Sequence, residues 1–459
     1  MALPSKDMQA AIAATRFGLG ARPGEIEAAR GDPRGWLKAQ ITPDGADQPK
    51  TDFQNGAQRL AEYRHQQDTL RAARQSGDQE ALKAAQRERR QDVNQDFLAR
   101  AQLGASTDAS FRERWALFWA NHFTVSATKQ ITASVAGPFE QEAIRPHAFG
   151  RFEDMLVASS SHPAMLTYLD QSQSVGPESR QAARAQQRGR RQGLNENLAR
   201  EILELHTVGV NGGYSQADVT EFARAMTGWT VARNAEESAD GAFVFRAAAH
   251  EPGDRTIMGR QYGQDGAGQA RAIMADLATR PATARHCARK IATYFVADTP
   301  PPALVQRLEK AWLTSGGQLD VVARALIEAP EAWEPAPAKF KTPYEFLIST
   351  WRAVGTQPQA LNQLGPTLNG LGQPAFRPPS PEGWPDETSA WAAPDALIKR
   401  MAFAQGFAQR VGDRVDPNAI AAGALGARLS NPVAKAVARA ESRPEALAVL
   451  LMSSEFQRR

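Results

Sequence analysis

The run NENLAREILELHTVGV, residues 195–210, places three glutamates and one arginine at helical spacing. At about 100° per residue, Glu196, Arg200, Glu201 and Glu204 share one arc of a helix whose opposite side is apolar. Arg200 stands four residues from both Glu196 and Glu204 and can bridge them. Neighbouring carboxyl groups with different pKa values can divide acid and base work. The run therefore predicts a polar site in which Glu201 and Glu204 are the acid/base groups and Arg200 orients them.

Histidines are the second set of candidate groups. His122 shares a helical face with Trp115 and Trp119, His162 precedes a proline at an expected helix start, and His250 opens the turn HEPG. We expect at least one of these three imidazoles to share a cavity with Glu201 and Glu204. The competing interpretation for each histidine is a structural one, in which it caps a helix or bonds to the backbone inside the core.

A divalent metal ion is the cofactor that such residues would hold. Glu201 and Glu204, supplemented by His122 or His250 from elsewhere in the chain, form the candidate ligand set. His206 projects about 160° away from Glu204 on a regular helix and is excluded as their partner. No His-Glu-x-x-His motif and no Gly-x-Ser-x-Gly motif occurs in the chain. A metal-assisted reaction and a metal-free acid/base reaction both stay open.

Composition narrows the class of protein. The single cysteine, Cys287, excludes an intrachain disulfide and a cysteine-built zinc site. A net charge of +4 over 459 residues is too small to indicate nucleic-acid binding. The densest basic segment, 180–191, lies in a stretch (174–192) for which we expect a weakly ordered loop. Because this loop leads into the Glu196 helix, it favours a substrate that is anionic or polymeric.

Helical periodicity runs through most of the chain, so the predicted fold is mainly α, a single large helical domain. Its expected parts are an N-terminal portion of the core (1–56), a helical-hairpin arm (57–103), the main core with a small β-hairpin between 241 and 262 (104–411) and C-terminal helices (412–459). The Pro- and Trp-rich stretch 376–394 predicts an irregular strap over the core. No basic leader and no run of 18 apolar residues is visible. We expect no membrane span and a cytoplasmic location, or a periplasmic one if the protein is co-exported or processed.

Several longer motifs resemble one known family. They are ATRFGLGARPGE, WALFWANHFTVS, FEQEAIRPHAFGRFEDML, SSSHPAMLTYLD, HEPGDRTIMG and the run that begins with NENLAREILELH and ends with ARAMTGWT. In this order they resemble the bacterial family known as the domain of unknown function numbered eighteen hundred, over about 14–410. The resemblance implies a mainly helical fold, a bacterial origin and a partner, since members often occur beside a second secreted family whose proteins carry twin-arginine signals.

Two functional hypotheses follow. The first is an enzyme, for example a hydrolase, that uses Glu201 and Glu204 as acid/base or metal-binding groups, with Arg200 and with His122, His162 or His250 assisting. The second is a non-catalytic binding or assembly protein that captures the secreted partner through the arm. A deep polar cleft at Glu201 favours the enzyme, whereas an apolar stripe exposed on the arm favours the assembly protein.

Overall fold

The structure is a computed structural model that describes residues 3–51, 54–233 and 239–459. It is mainly α, as predicted, with 63% of the chain helical. The strands within the described residues form two short antiparallel pairs. None of the described helices combines the length and the apolarity that a membrane span requires.

The first half of the chain holds the arm and the helices of the predicted motifs. Its helices are α1 (Lys6–Ile12), α2 (Glu25–Arg30), α3 (Pro33–Lys38), α4 (Gly56–Ser76), α5 (Gln79–Ser106), α6 (Ser110–His122), α7 (Gln130–Phe139), α8 (Phe152–Ser161), α9 (Pro163–Tyr168), α10 (Arg180–Gln187), α11 (Asn197–Glu201) and α12 (Gln216–Met226). Helix α12 starts with a capping box between Ser215 and Asp218.

The second half packs helices against one another with short connections. Its helices are α13 (Ala267–Thr279), α14 (Pro281–Phe295), α15 (Pro302–Ser315), α16 (Leu319–Glu328), α17 (Pro343–Ala353), α18 (Gly365–Gly370), α19 (Pro394–Val411), α20 (Pro417–Leu425), α21 (Asn431–Arg439), α22 (Arg443–Met452) and α23 (Ser454–Gln457). Most of them start at a proline or at a serine or threonine that accepts a backbone N–H, because these residues suit the first turn of a helix.

The β structure differs from the single hairpin expected between 241 and 262. Strand β1 (Trp229–Val231) pairs with β2 (Phe243–Phe245), and β3 (Arg255–Ile257) pairs with β4 (Arg260–Tyr262). Met258 and Gly259 both have positive φ, at 48° and 79°, which is the geometry of a tight two-residue hairpin turn. The predicted segment therefore holds one complete hairpin and one strand that pairs with an earlier segment.

The segment 174–192 also departs from expectation. It contains helix α10, whose first turn is capped by the Ser179 side chain, and the Gln181 N–H donates to the Ala248 carbonyl at 2.8 Å. Alanine and glutamine are good helix formers, and these contacts outweigh the mutual repulsion of the arginines. The predicted weakly ordered loop is thus wrong for its central part.

Buried apolar side chains group into two clusters. The larger includes Trp115, Trp119 and Phe152 and extends through α12–α16. The smaller joins the end of α5 to α17–α22. The division of the chain into the segments 1–56, 57–103, 104–411 and 412–459 stays a prediction.

The arm consists of α4 and α5, which turn back on each other at Gly77, where φ is 73°. Its base packs against α7, α9 and α17. Among its described side chains, which leave out 81, 82 and 85–92, none is a large apolar residue exposed to solvent. The described side chains of the arm therefore show no exposed apolar stripe of the kind that would favour the assembly hypothesis.

Candidate functional site

The predicted polar stripe lies on α11 and on the wider π-type turn Ile202–His206 that continues it. Arg200 bridges Glu196 at 3.2 Å and Glu204 at 3.4 Å, as its spacing indicates. The Arg200 side chain is 35% exposed, and both glutamates are also partly exposed. Thr220 and Gln216 donate further hydrogen bonds to Glu196, and together with Arg200 they lower its pKa. These bridges are therefore half-solvated.

Glu201 is half-buried. Its burial raises the pKa of its carboxyl group, and the charges of Glu204 and Glu382 raise it further, whereas Arg200 opposes them. No hydrogen bond to the Glu201 carboxylate is formed within the residues that the structure describes. Glu201 is thus a proton-binding group without a fixed partner.

His162 and His250 bond to other parts of the chain and not to the stripe. The Nδ1 atom of His162 accepts from the Ala164 N–H at 3.1 Å, so its Nε2 carries the proton and donates to Glu142 at 3.2 Å. His250 bonds through Nδ1 to the Thr227 carbonyl at 2.9 Å. These hydrogen bonds agree with the competing structural interpretation, and a part for either histidine in a reaction stays a prediction.

His122 belongs to a cluster of three imidazoles. Its ring centroid lies 6.0 Å from that of His206 and 6.4 Å from that of His286 on α14. Its Nε2 bonds to the His206 carbonyl at 3.1 Å. Neither ring nitrogen of the fully buried His206 has a partner in the described chain. Burial, together with the charge of Lys290, lowers the pKa of His206 to about 3 and that of His286 to about 4.

The metal hypothesis receives no support from this geometry. Across residues 3–51, 54–233 and 239–459, no group of three or more His, Cys, Asp or Glu side chains could hold a metal ion. The proposed ligands do not bond to one another, since His122 and His250 bond to backbone carbonyls and Glu204 bonds to Arg200. The site is therefore best described by its proton-binding groups.

Lys290 is a functional candidate that sequence reasoning missed. It follows His286 by one turn of α14, and its burial lowers its pKa, against the opposing charges of Asp386 and Glu382. Its ammonium forms no hydrogen bond or ion pair within the described ranges. The i, i+4 spacing of His286 and Lys290 was the available signal, because it places both side chains on one helical face.

Asp386 is the second candidate that was missed. It lies in the irregular strap and lines a cavity of about 100 Å³. The cavity walls combine polar and apolar residues, and the aromatic ones include Phe97, Tyr294, Tyr344, Phe376 and Trp384. Burial raises the pKa of Asp386 to about 6, although Lys290, Lys339 and Arg459 lower it in part. The carboxylate of Asp386 has no hydrogen-bond partner in the described chain.

Glu345, in the first turn of α17, lines the same cavity. Its carboxylate accepts from the Thr342 N–H at 3.0 Å, from Arg459 at 3.1 Å and from Arg114. Burial alone would raise its pKa, but the two guanidinium groups lower it to about 2. One cavity therefore holds two carboxyl groups whose surroundings shift their pKa values in opposite directions, upward for Asp386 and downward for Glu345.

The strap is fixed at two points that position Asp386. The Asn121 side chain donates to the Trp384 carbonyl at 2.9 Å and accepts from the Trp384 N–H at 2.7 Å. Gly383 has a φ of 93°, and a Cβ there would stand 2.5 Å from the Asn121 carbonyl oxygen. Lys339 donates to the Asp386 carbonyl and to Asp298. The backbone beside Asp386 is thus held from both sides, while its carboxyl group stays free.

Comparison with known proteins gives a family and no relative of described function. Neither a curated protein nor a solved structure matches the chain. A family model described as "Protein of unknown function (DUF1800)" matches residues 12–458, beyond the part over which the motifs showed the resemblance. Because this match covers nearly the whole sequence, the chain belongs to the DUF1800 family.

Proposed function

We propose that this protein is an acid–base enzyme and that Asp386 is the group that gives and takes the proton. The observation that carries this proposal is a carboxyl group with no hydrogen-bond partner in the described chain, lining a cavity, with its pKa raised to about 6 by burial. A general acid or base works best when its pKa lies near the operating pH, since both protonation states are then populated. Asp386 meets that condition near neutral pH.

Glu345 supplies the complementary charge. Arg114 and Arg459 keep it ionised, with a pKa lowered to about 2. The charge of Glu345 also helps to raise the pKa of Asp386. Two carboxyl groups whose environments drive their pKa values apart are the usual arrangement for divided acid/base work.

Glu201 enters the proposal as a second proton-binding group. Its pKa is also raised by burial, and the charge of Glu382 acts on both Glu201 and Lys290. The charge of Glu204 raises the pKa of Glu201, and the charge of Arg200 lowers it. His122 bonds to the His206 carbonyl and His162 bonds to Glu142. Hydrolysis of a small substrate is the reaction class that we propose for this set.

The test is a turnover screen with p-nitrophenyl esters, glycosides and phosphates, measured from pH 5 to 8. We expect turnover of at least one class with an inflection near pH 6, and Asp386→Asn should abolish it. Asp395→Asn, at an exposed aspartate that pairs with Lys399, is the matched control and should leave turnover unchanged. Turnover that persists in Asp386→Asn but disappears in Glu201→Gln would transfer the acid/base role to the stripe.

A further inference from the structure

We infer that one surface loop of this protein binds an acidic polysaccharide. The loop consists of residues 177–192, and we call it the arginine loop. Its arginines are all exposed to solvent and are Arg180, Arg184, Arg188, Arg190 and Arg191. The inference goes beyond the proposed acid–base function, because it assigns a binding surface and not a reacting group.

The arginine loop leaves the core and returns to it at one place. The Val175 N–H donates to the Gly193 carbonyl at 3.0 Å, and the Asn195 N–H donates to the Ser174 hydroxyl oxygen at 3.0 Å. A compact surface excursion whose ends are joined in this way is the geometry of an Ω-loop, a class of loop that is frequently functional.

The loop contributes little to the hydrophobic core. Among residues 177–192, only Ser179 and Ala185 are buried. Its backbone is nevertheless fixed, because the Ser179 side chain caps α10 and the Gln181 N–H donates to the Ala248 carbonyl at 2.8 Å. Binding residues are commonly found on surface loops that a rigid scaffold positions. Core packing therefore does not account for the loop, and its exposed side chains are the reason to look for a ligand.

The five arginines have no anionic partner in the described chain. None of them forms a hydrogen bond or an ion pair with a residue that the structure describes. The one acid within the loop, Glu178, is exposed, and the neighbouring Glu251 is buried and accepts from the Glu178 N–H at 2.8 Å. Exposed arginines elsewhere, such as Arg30 and Arg260, pair with aspartates. The guanidinium groups of the loop are therefore open to an anion from outside.

Arg180, Arg184 and Arg188 form a row along α10 and its C-cap. Successive members are four residues apart, so each lies about 6 Å further along the helix and about 40° further around it. Like charges at this spacing repel and weaken a helix. The helix dipole favours a cation only near the C-terminal end, so it does not account for Arg180 in the first turn. A linear polymer with a regularly repeated negative charge would relieve the repulsion along the whole row.

The other side chains of the loop favour a polysaccharide over other polyanions. Gln186 and Gln187 are exposed beside the arginines, and each amide offers both donors and an acceptor. Sugar hydroxyl groups can satisfy both, whereas the phosphate oxygens of a nucleic acid only accept. The loop contains no aromatic side chain on which bases could stack and no large apolar side chain that could enter a membrane.

The test measures binding of polygalacturonate to the full-length protein by biolayer interferometry, at low and at high sodium chloride concentration. We expect binding that weakens as salt is added, because salt screens the attraction between exposed charges. Dextran, which offers hydroxyl groups without charge, should not bind.

The variant Arg180→Gln/Arg184→Gln/Arg188→Gln, which we call the row variant, should bind polygalacturonate at least tenfold more weakly than the parent. The matched control is Arg289→Gln/Arg414→Gln/Arg439→Gln, which removes the same charge from three exposed arginines elsewhere on the surface. This control should bind as the parent does. Circular dichroism and urea unfolding check that both variants fold.

Any one of three results would overturn the inference. They are equal affinity of the parent and the row variant, an equal loss of affinity in the matched control, and tighter binding of single-stranded DNA, polyglutamate or phosphatidylglycerol vesicles than of polygalacturonate. The second result would mean that net charge alone explains the binding. Because the assay contains no turnover step, its failure is distinct from a failure of the proposed function of Asp386.

Discussion

Acidification from pH 7 to pH 5 should destabilise this protein through its buried imidazoles. The pKa of His206 is lowered to about 3 and that of His286 to about 4, chiefly because burial disfavours the charged ring. In the unfolded chain each would titrate near 6.5. The unfolded state therefore binds more protons than the folded state over this range, and stability falls as the pH falls below the unfolded pKa.

The magnitude follows from these values. A histidine with an unfolded pKa near 6.5 and a folded pKa of 3 to 4 lowers the free energy of unfolding by about 2 kcal/mol between pH 7 and pH 5, so the two together remove about 4 kcal/mol. Asp386 acts in the opposite direction, because its folded pKa of about 6 lies above its unfolded value. Asp386 raises the free energy of unfolding by about 1.4 kcal/mol between pH 7 and pH 5. His122, whose pKa is also lowered by burial, adds to the loss, and Glu201, whose pKa is raised by burial, offsets part of it. The net decrease should therefore be about 2.5 kcal/mol.

Urea unfolding at pH 7, 6 and 5 measures this decrease directly. His206→Leu should reduce it by about 2 kcal/mol, since one of the titrating groups is removed. His65→Leu, at an exposed histidine of the arm, is the matched control and should leave the pH dependence of the parent unchanged. A parent whose unfolding free energy is the same at pH 7 and pH 5, or a His206→Leu variant with the parental pH dependence, would refute this reasoning.

Three further changes test individual contacts by urea unfolding at pH 7. The buried Arg145 donates to the Glu113 carboxylate at 2.7 and 2.9 Å. Glu113→Ala removes that carboxylate and should lower the free energy of unfolding by about 3 kcal/mol or more. A smaller loss would mean that water reaches the pair. Arg200→Ala breaks only half-solvated bridges and should cost about 1 kcal/mol or less; a cost near 3 kcal/mol would show that the stripe is buried after all. In Gly383→Ala the new Cβ would meet the Asn121 carbonyl at a position with positive φ, so the change should cost about 1 kcal/mol or more. Parental stability would contradict the role given to the strap.

The helical class of the fold could be read from the sequence because apolar periodicity and caps are local signals. The turn of the arm at Gly77, the capping box at Ser215 and the irregular strap all lie in short stretches whose residue types determine them. The pairing of β2 with β1 could not be read in the same way, since the partner strand lies outside the segment that shows the alternation. Long-range pairing depends on tertiary packing rather than on local pattern.

In the candidate site, too, local contacts could be predicted from the sequence and long-range contacts could not. The bridges of Arg200 follow from helical spacing alone, and the structure forms them. Asp386 and Lys290 could not be inferred, because more than ninety residues separate them and the strap gives no periodicity that would place a carboxyl group in a cavity. Burial, which controls the pKa of Asp386, results from the packing of the strap against α6 and the first turn of α17. No local pattern encodes that packing.

The titration of Asp386 tests the central claim most directly. Carbon-13 NMR of protein labelled at the aspartate side-chain carboxyl carbon, with the Asp386 resonance assigned by its absence in Asp386→Asn, gives the midpoint of that single group. We expect a midpoint near pH 6, because burial raises the pKa of this carboxyl group. A midpoint near pH 4, the range of a solvated aspartate, would contradict the assignment of Asp386 as the acid/base group.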